Sequence, residues 1–493
     1  MDDGLLLWIL LAIPAAGAAG SLLPGSPRAV LRLVCAGVLA TAAAAAAAVA
    51  AVLRGVPVHA AAGWLFLDEL SAWHLAVLMM VYSLSSLFAL GYFRQEPAAT
   101  HFTIRVARRF GALWFGALWS MILVLASNNL GILWVGIEAT TLLTAFLICI
   151  PVSPTALEAM WKYLIMCSVG VAFAFIGTIL VGAAAAPAQL PPAETLLWTR
   201  LAASAALLDP RLLKAGFLFL MVGYGTKAGL APMHNWLPDA HSQAPAPVSA
   251  VFSGILLNAA LYCVLRYVPI LEGATGHSGW SREILTLFGL VSILVASAFI
   301  LFQHDAKRML AYHSVEHLGI IALGMGVGGL GTLAALFHML NHSLTKTVAF
   351  FTAGRLGQMY GSNDMTGMTG ALRASRLWGG GFFVSMLALI GVAPFAIFMS
   401  EFQLLRASLG TGAVAAAVLF LAGTSVVFVG ALRHVTSVVW GNPSVEAPRG
   451  GPGALEWSIV VVPLAALLVL GLWMPPGIWR FIERAAAILE GRA

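Results

Sequence analysis

Apolar residues run along this chain in blocks of roughly 20, each closed by a short cluster of glycine, proline or charged residues. The blocks fall at about 5–23, 28–53, 69–92, 108–126, 129–150, 159–184, 212–237, 245–268, 283–302, 308–326, 330–357, 378–406, 411–439 and 456–475. As helices, blocks of this length cross the about 30 Å hydrocarbon core of a bilayer. The pattern predicts an all-α, polytopic membrane protein of about 14 transmembrane helices. The alanine run 42–48 fits, since alanine favours helix. Asp2 and Asp3 precede the first block where a signal peptide would carry basic residues, so that block reads as a span. The longest connections, around 183–211 and 355–376, are too short for soluble domains, so residues 1–493 read as a single transmembrane domain.

Two blocks are interrupted. In the stretch 223–266, Lys227 stands in an apolar run that Pro232, Pro238, Pro245 and Pro247 then break. A charge near a bilayer centre costs about 2.5 to 3.5 kcal/mol even on permissive scales. Irregular backbone at that depth survives only inside protein or beside a water-filled cavity. Something polar therefore passes here. The block 378–406 repeats the device, with Pro394 ahead of Glu401. Paired broken helices in corresponding places predict an internal-repeat transporter with its site at the midplane.

Composition sharpens this picture. Hydrophobic residues make up 60% of the chain and charged residues 9%, more apolar surface than a soluble domain needs. The formal charge of +6 sits mostly in loops and bears on orientation rather than on nucleic acid. With both termini outside, the inner loops hold about 14 Lys/Arg, among them Arg94, Arg105, Arg108, Arg109, Lys307, Arg308, Arg373 and Arg376, against about 10 outside. Cys35, Cys149, Cys167 and Cys263 all lie in apolar blocks without CxxC spacing, which predicts neither a disulfide framework nor an iron-sulfur, nickel or zinc thiolate site. There is no P-loop and no dinucleotide fingerprint, so nucleotide-driven transport has no support.

The candidate chemistry lies in ionisable residues within the blocks. Glu138 is the single charge in LGILWVGIEATTLLTAFLICI; it either pairs with a cation or exchanges protons, or is a protonated group bonded to a helix carbonyl. Lys227 with a carboxylate at variable distance can load and release a proton, or form a static buried pair. His338, His342 and Lys346 share one face at i, i+4 and i+8 and suit a proton relay. Two histidines at that spacing also suit a metal, but no acidic or thiol partner stands beside them in sequence. His313, Glu316 and His317 share a face, with a capping or loop role as the alternative. Lys162 follows Glu158 by four, either as a surface pair or as a snorkelling lysine. Asp239 and His241 are expected to cap the break and line a loop. Glu401 is the end station. Abundant His and Lys favour protons over sodium, which prefers oxygen ligands.

The stretch KAGLAPMHNWLPDAHSQAPAPVSA at 227–250, with WVGIEATTLL, FQHDAKRMLAYHSVEHLGI and ALFHMLNHSLTKTVAFFTAGRL, resembles the antiporter-like family shared by respiratory complex I, cation/proton antiporters and membrane-bound hydrogenases. The resemblance covers about 66–432. EAMWKYLI, LLN at 256–258 and HSVEHLG are most similar to the component F branch of hydrogenase-4-type complexes, the formate hydrogenlyase relatives. It implies fourteen helices, two inverted five-helix repeats each holding a broken helix, and a hydrophilic axis along the midplane. It also implies that Glu138 matches the family glutamate, Lys227 the pump lysine, Lys346 the lysine of the His-His-Lys helix, and Glu401 the terminal site. Asn258 departs from this pattern: many relatives have a titratable residue there, and an amide takes up no proton at neutral pH. Storage then falls to water or to His338, His342 and Lys346, or stoichiometry or coupling differs. A long lateral helix found in some relatives is not expected after the last block.

The expected function is a non-redox, proton-translocating membrane subunit of a multi-subunit oxidoreductase of the hydrogenase-4, formate hydrogenlyase or NADH:quinone oxidoreductase type. No cofactor is expected in this chain; iron-sulfur and metal centres belong on partner subunits. The partners are membrane and peripheral subunits, protons and the lipid bilayer of a bacterial-type inner membrane, with no nucleic acid. The alternatives are a subunit of a sodium/proton antiporter, a scaffold, or the membrane partner of a non-redox enzyme such as a carbon-dioxide hydration complex.

Overall fold

The computed structural model describes residues 3–56, 58–94, 102–150, 152–444 and 451–491. The chain opens with α1 (Asp3–Gly20) and α2 (Pro27–Leu53), then a small antiparallel pair, β1 (Val58–Ala60) and β2 (Leu65–Leu67), with Val58 opposite Leu67. This hairpin qualifies the all-α expectation; its three-residue strands are too short for periodicity to reveal. There follow α3 (Glu69–Tyr92), α4 (Ile104–Ala126), α5 (Leu130–Ile148), α6 (Pro154–Ala184), α7 (Trp198–Ala203) and α8 (Pro210–Ala228). Beyond a break come α9 (Leu237–Gln243) and α10 (Ala246–Val251), a π-helical turn at Phe252–Leu256, α11 (Leu257–Leu265) and α12 (Val268–Ala274). The remainder comprises α13 (Trp280–Ile300), α14 (Ala306–Val327), α15 (Leu330–Tyr360), α16 (Ala371–Ala374), α17 (Arg376–Leu389), α18 (Ala396–Gly410), α19 (Val414–Val439), α20 (Ala454–Leu472) and α21 (Pro476–Leu489).

Among the described residues, nine helical segments are long and apolar enough to cross a membrane, and two shorter apolar helices accompany them. The nine do not include α8, α14 or α15. Those are the helices whose apolar pattern is diluted by Lys227, by His313, Glu316 and His317, and by His338, His342 and Lys346. Neighbouring helices cover them: α14 is buried along nearly its whole length. The apolar window of the rod Ala246–Ala274 is wholly buried, against 33% of the windows of α2 and α20. Apolar helices therefore shield a polar interior from lipid, as a bilayer requires.

Both breaks share one construction. α8 stops at Gly229 (φ 75°) and α17 at Gly391 (φ 72°), in the left-handed conformation glycine adopts without penalty. The next N–H turns back five residues in each: Leu230 to the Gly225 carbonyl at 2.9 Å, Val392 to the Leu387 carbonyl at 3.1 Å. Ala-Pro follows both times. A polar side chain from a neighbouring helix then satisfies the opened backbone. Ser292 Oγ accepts from the Ala231 N–H at 2.9 Å, and Asn341 Nδ2 donates to the Ala396 carbonyl at 3.1 Å.

Candidate functional site

Lys227 lies in the last turn of α8, where free carbonyls favour a cation, and is fully buried. Its Nζ donates to Thr141 Oγ1 at 2.9 Å and to the Tyr163 hydroxyl, and sits 4.5 Å from the Tyr163 ring centre. Tyr163 is itself hydrogen-bonded to Thr144 Oγ1 at 2.6 Å. Glu138 stands one turn before Thr141 on the same face of α5. Its Oε1 accepts from Ser168 Oγ at 2.8 Å, while Oε2 makes no hydrogen bond within the described residues. No ion pair joins it to Lys227 there. A hydroxyl pair thus holds the lysine, with a carboxylate a turn away.

The second cluster is denser. On α14, His313 Nδ1 and Glu316 Oε2 meet at 3.0 Å. His317 Nδ1 shares a hydrogen bond with His338 Nε2 at 2.8 Å, and the His317 ring centre lies 5.0 Å from those of His338 and His342. His338 Nδ1 continues to Ser400 Oγ at 2.9 Å, beside Glu401 on α18. Glu401 forms the charged wall of a cavity of about 350 Å³. Two turns beyond His338, near the middle of α15, Lys346 Nζ donates to the Leu310 carbonyl. Two consecutive helices, α14 and α15, thereby assemble a row of imidazoles that a third, α18, ends with a carboxylate.

Between the clusters lie aromatic rings and one polar bridge. Trp236 packs against Tyr163 at 4.9 Å and against His241 at 6.2 Å; Phe350 packs against His241 at 5.8 Å and lies 5.9 Å from Lys346 Nζ. His241 therefore stands midway, fully buried in α9, not lining a loop as its polar neighbours in sequence suggested. Asn258 Nδ2 donates to the Gly254 carbonyl, freed by the π-helical turn, at 3.0 Å and to Ser343 Oγ at 3.1 Å.

Asp239 and Lys162 belong to the periphery. Lys162 Nζ lies 2.6 Å from Glu158 and 2.9 Å from Asp239, which also binds Arg308 at 3.0 Å. This exposed pairing ties α6 and α14 to α9. Sequence reasoning passed over Tyr163, Thr141, Thr144, Ser168 and Ser400, whose hydroxyls look ordinary in an apolar helix. Lys307, expected among the inner-loop cations, is instead buried: it donates to the carbonyls of Ser242 (2.8 Å) and Ala244 and fixes the end of α9. The buried pair of Asp68 and Arg266, bonded also to Ser71 and Tyr262, fastens α3 to α11. A charge at each block edge was the available signal.

These features characterise a multi-pass membrane protein with an enclosed row of titratable groups. The chain belongs to the NADH:quinone oxidoreductase/Mrp antiporter transmembrane family, which matches residues 127–427. It is 36% identical over 427 residues to the hydrogenase-4 component F homolog of Methylacidiphilum infernorum (isolate V4), covering 86% of this chain and 88% of that one. Its fold is similar to that of a chain in the membrane-bound sulfane sulfur reductase, an archaeal respiratory membrane complex (TM-score 0.87, 24% identity, 98% of this chain and 97% of that one). A chain of the Mrp complex from Dietzia sp. DQ12-45-1b is similarly folded (TM-score 0.85, 21% identity, 99% and 97%).

Proposed function

We propose that this chain is the proton-translocating membrane subunit of a multi-subunit oxidoreductase of the hydrogenase-4, formate hydrogenlyase or NADH:quinone oxidoreductase type. In this reading it crosses a bacterial inner membrane fourteen times, in two inverted repeats, and carries no redox centre of its own. Iron-sulfur and metal centres sit on partner subunits. The observation that carries the reading is the enclosed row from His342 through His317 and His338 to Ser400 and Glu401, with Lys227 buried in the facing half. Proton movement needs such groups in succession, shielded from lipid. The matched breaks, Gly-Leu-Ala-Pro at 229–232 and Gly-Val-Ala-Pro at 391–394, support the repeat.

Redox work on a partner shifts the midplane electrostatics. Glu138, held by Ser168, then exchanges its partner for Lys227, whose proton affinity changes with the separation of the two. The proton passes by His241, which supplies a titratable centre where Asn258 has none, to Lys346 and His342. It leaves through His317, His338 and Glu401. The decisive experiment is proton translocation by the assembled complex bearing Lys227→Ala. Assembly with translocation at background is expected; translocation at the parental rate sinks the mechanism. Co-purification under mild detergent separates the partners: subunits carrying metal clusters support the oxidoreductase reading, whereas small antiporter subunits alone would move the case to sodium/proton exchange.

A further inference from the structure

We propose that His317, His338 and Glu401 form a binding site for a divalent ion of the zinc class, reached from the side cavity that Glu401 lines. One ligand atom from each of the three lies within 4.8 Å of the other two. Two imidazole nitrogens and a carboxylate oxygen are a donor set that zinc accepts, with water in the fourth position. Magnesium and calcium prefer all-oxygen sites, so this set selects against them. Zinc sits about 2.0 to 2.2 Å from such donors, which places them roughly 3.3 Å apart. Binding from the present spacing takes a readjustment of all three side chains, with His317 Nδ1 and His338 Nε2 giving up the hydrogen bond they share, and Glu401 has a cavity beside it.

Two further observations point to a ligand. His338 already has the outer support that metal-bound histidines use: its Nδ1 is held by Ser400 Oγ at 2.9 Å, which orients Nε2 toward His317. Beside it, buried His317 Nε2 and both nitrogens of His342 make no hydrogen bond within the described residues. Buried polar atoms are ordinarily paired, so this concentration of free nitrogen next to a carboxylate is unusual. The cavity supplies the approach. Its volume is about 350 Å³, Phe398, Phe402, Phe420 and Phe428 line it, and Glu401 is its one charged lining residue. A metal there would lock His317 and His338 in one arrangement and stop proton passage; that consequence rests on the function proposed above, whereas the binding does not.

Cobalt(II), as a spectroscopic substitute for zinc, is titrated into the purified complex and followed by visible absorption. The expected result is a tetrahedral cobalt spectrum saturating at a single ion per chain, displaced by zinc. His317→Ala and Glu401→Gln should each weaken binding at least about tenfold, as loss of a metal ligand does. His304→Ala, in an exposed loop, should leave it unchanged. Glu401→Gln conserves size, so the test stands even if His317→Ala fails to assemble. A titration with no saturable spectrum, or one that neither variant weakens, overturns the site. Site-specific binding that leaves translocation at its full rate supports the site and counts against the proton path.

Discussion

The two broken helices are built alike and used oppositely. Each has a left-handed glycine, an N–H turned back five residues, an Ala-Pro step and a polar side chain from the next helix to mend the backbone. The first places an ammonium before its break, among helix-end carbonyls and two hydroxyls, fully enclosed. The second places a carboxylate after its break. Glu401 is the sixth residue of α18, beyond the turn in which the helix end would favour an anion, and it opens onto a cavity. One backbone device thus holds an enclosed ammonium at the first break and a cavity-lining carboxylate at the second, and side chains alone make the difference.

Substitutions can break that comparison. The largest effect is expected from Lys227→Ala: translocation falls to background, while Glu401→Gln lowers it less if the open station can be bypassed by water. Parallel proton-flux assays rank them. Next, Tyr163→Phe removes one hydrogen bond from the buried ammonium, worth about 1.5 to 3 kcal/mol. A flux loss of about tenfold or more is expected, whereas Ser400→Ala at the open end should cost less.

The breaks themselves can be compared through alanine. A Cβ at Gly391 meets the Glu401 carboxylate, and a Cβ at Gly229 meets the flexible end of Leu237. Both variants should lose about 1 to 2 kcal/mol from forcing a left-handed residue, read as lowered thermal stability, but Gly391→Ala should lose flux as well. Similar flux in the two would show that the second break does not set the position of Glu401.

The smallest effect concerns α21. Its Arg484 binds the Leu53 carbonyl and Glu69 (2.6 Å each), and Glu490, just past its end, binds Arg282 (2.9 Å), the Gly329 N–H (3.0 Å) and Thr332 (2.6 Å). Burial pushes the Glu490 carboxyl up, but the Thr332 hydroxyl, Arg282 and the Gly329 N–H outweigh it and hold the group below its usual range. The stability it contributes is present above the ordinary glutamate value of about 4.3 and is lost as pH falls through the lowered one. Glu490→Gln should remove about 1 kcal/mol at neutral pH and flatten the acid limb of an unfolding titration.

Much of this was legible in the chain. Lys227, Glu138 and Glu401 stand out because charge in an apolar block has so few physical excuses, and the i, i+4, i+8 spacing of His338, His342 and Lys346 fixes their shared face. His241 was misplaced because polar and proline neighbours resemble a loop, while its burial comes from Trp236, Phe252 and Phe350 on other segments. The hydroxyls of Thr141, Tyr163 and Ser400 were invisible for a similar reason. Serine, threonine and tyrosine are common in membrane helices, and only a partner across the bundle reveals a task.

The sequence by itself determined the membrane as solvent and singled out Glu138, Lys227 and Glu401, because a charge or a helix break in a bilayer is costly enough to be read from one residue at a time. It also determined where both helices break, through glycine and proline, whose backbone limits are local. Only the tertiary structure decided which groups meet: that Lys227 rests on hydroxyls with Glu138 a turn away, that His317 joins His338, and that Glu401 comes within 4.8 Å of His338, which has no acidic neighbour in sequence. Hydrogen bonds and metal geometry act over about 3 Å, a distance that chain order cannot specify between helices many residues apart.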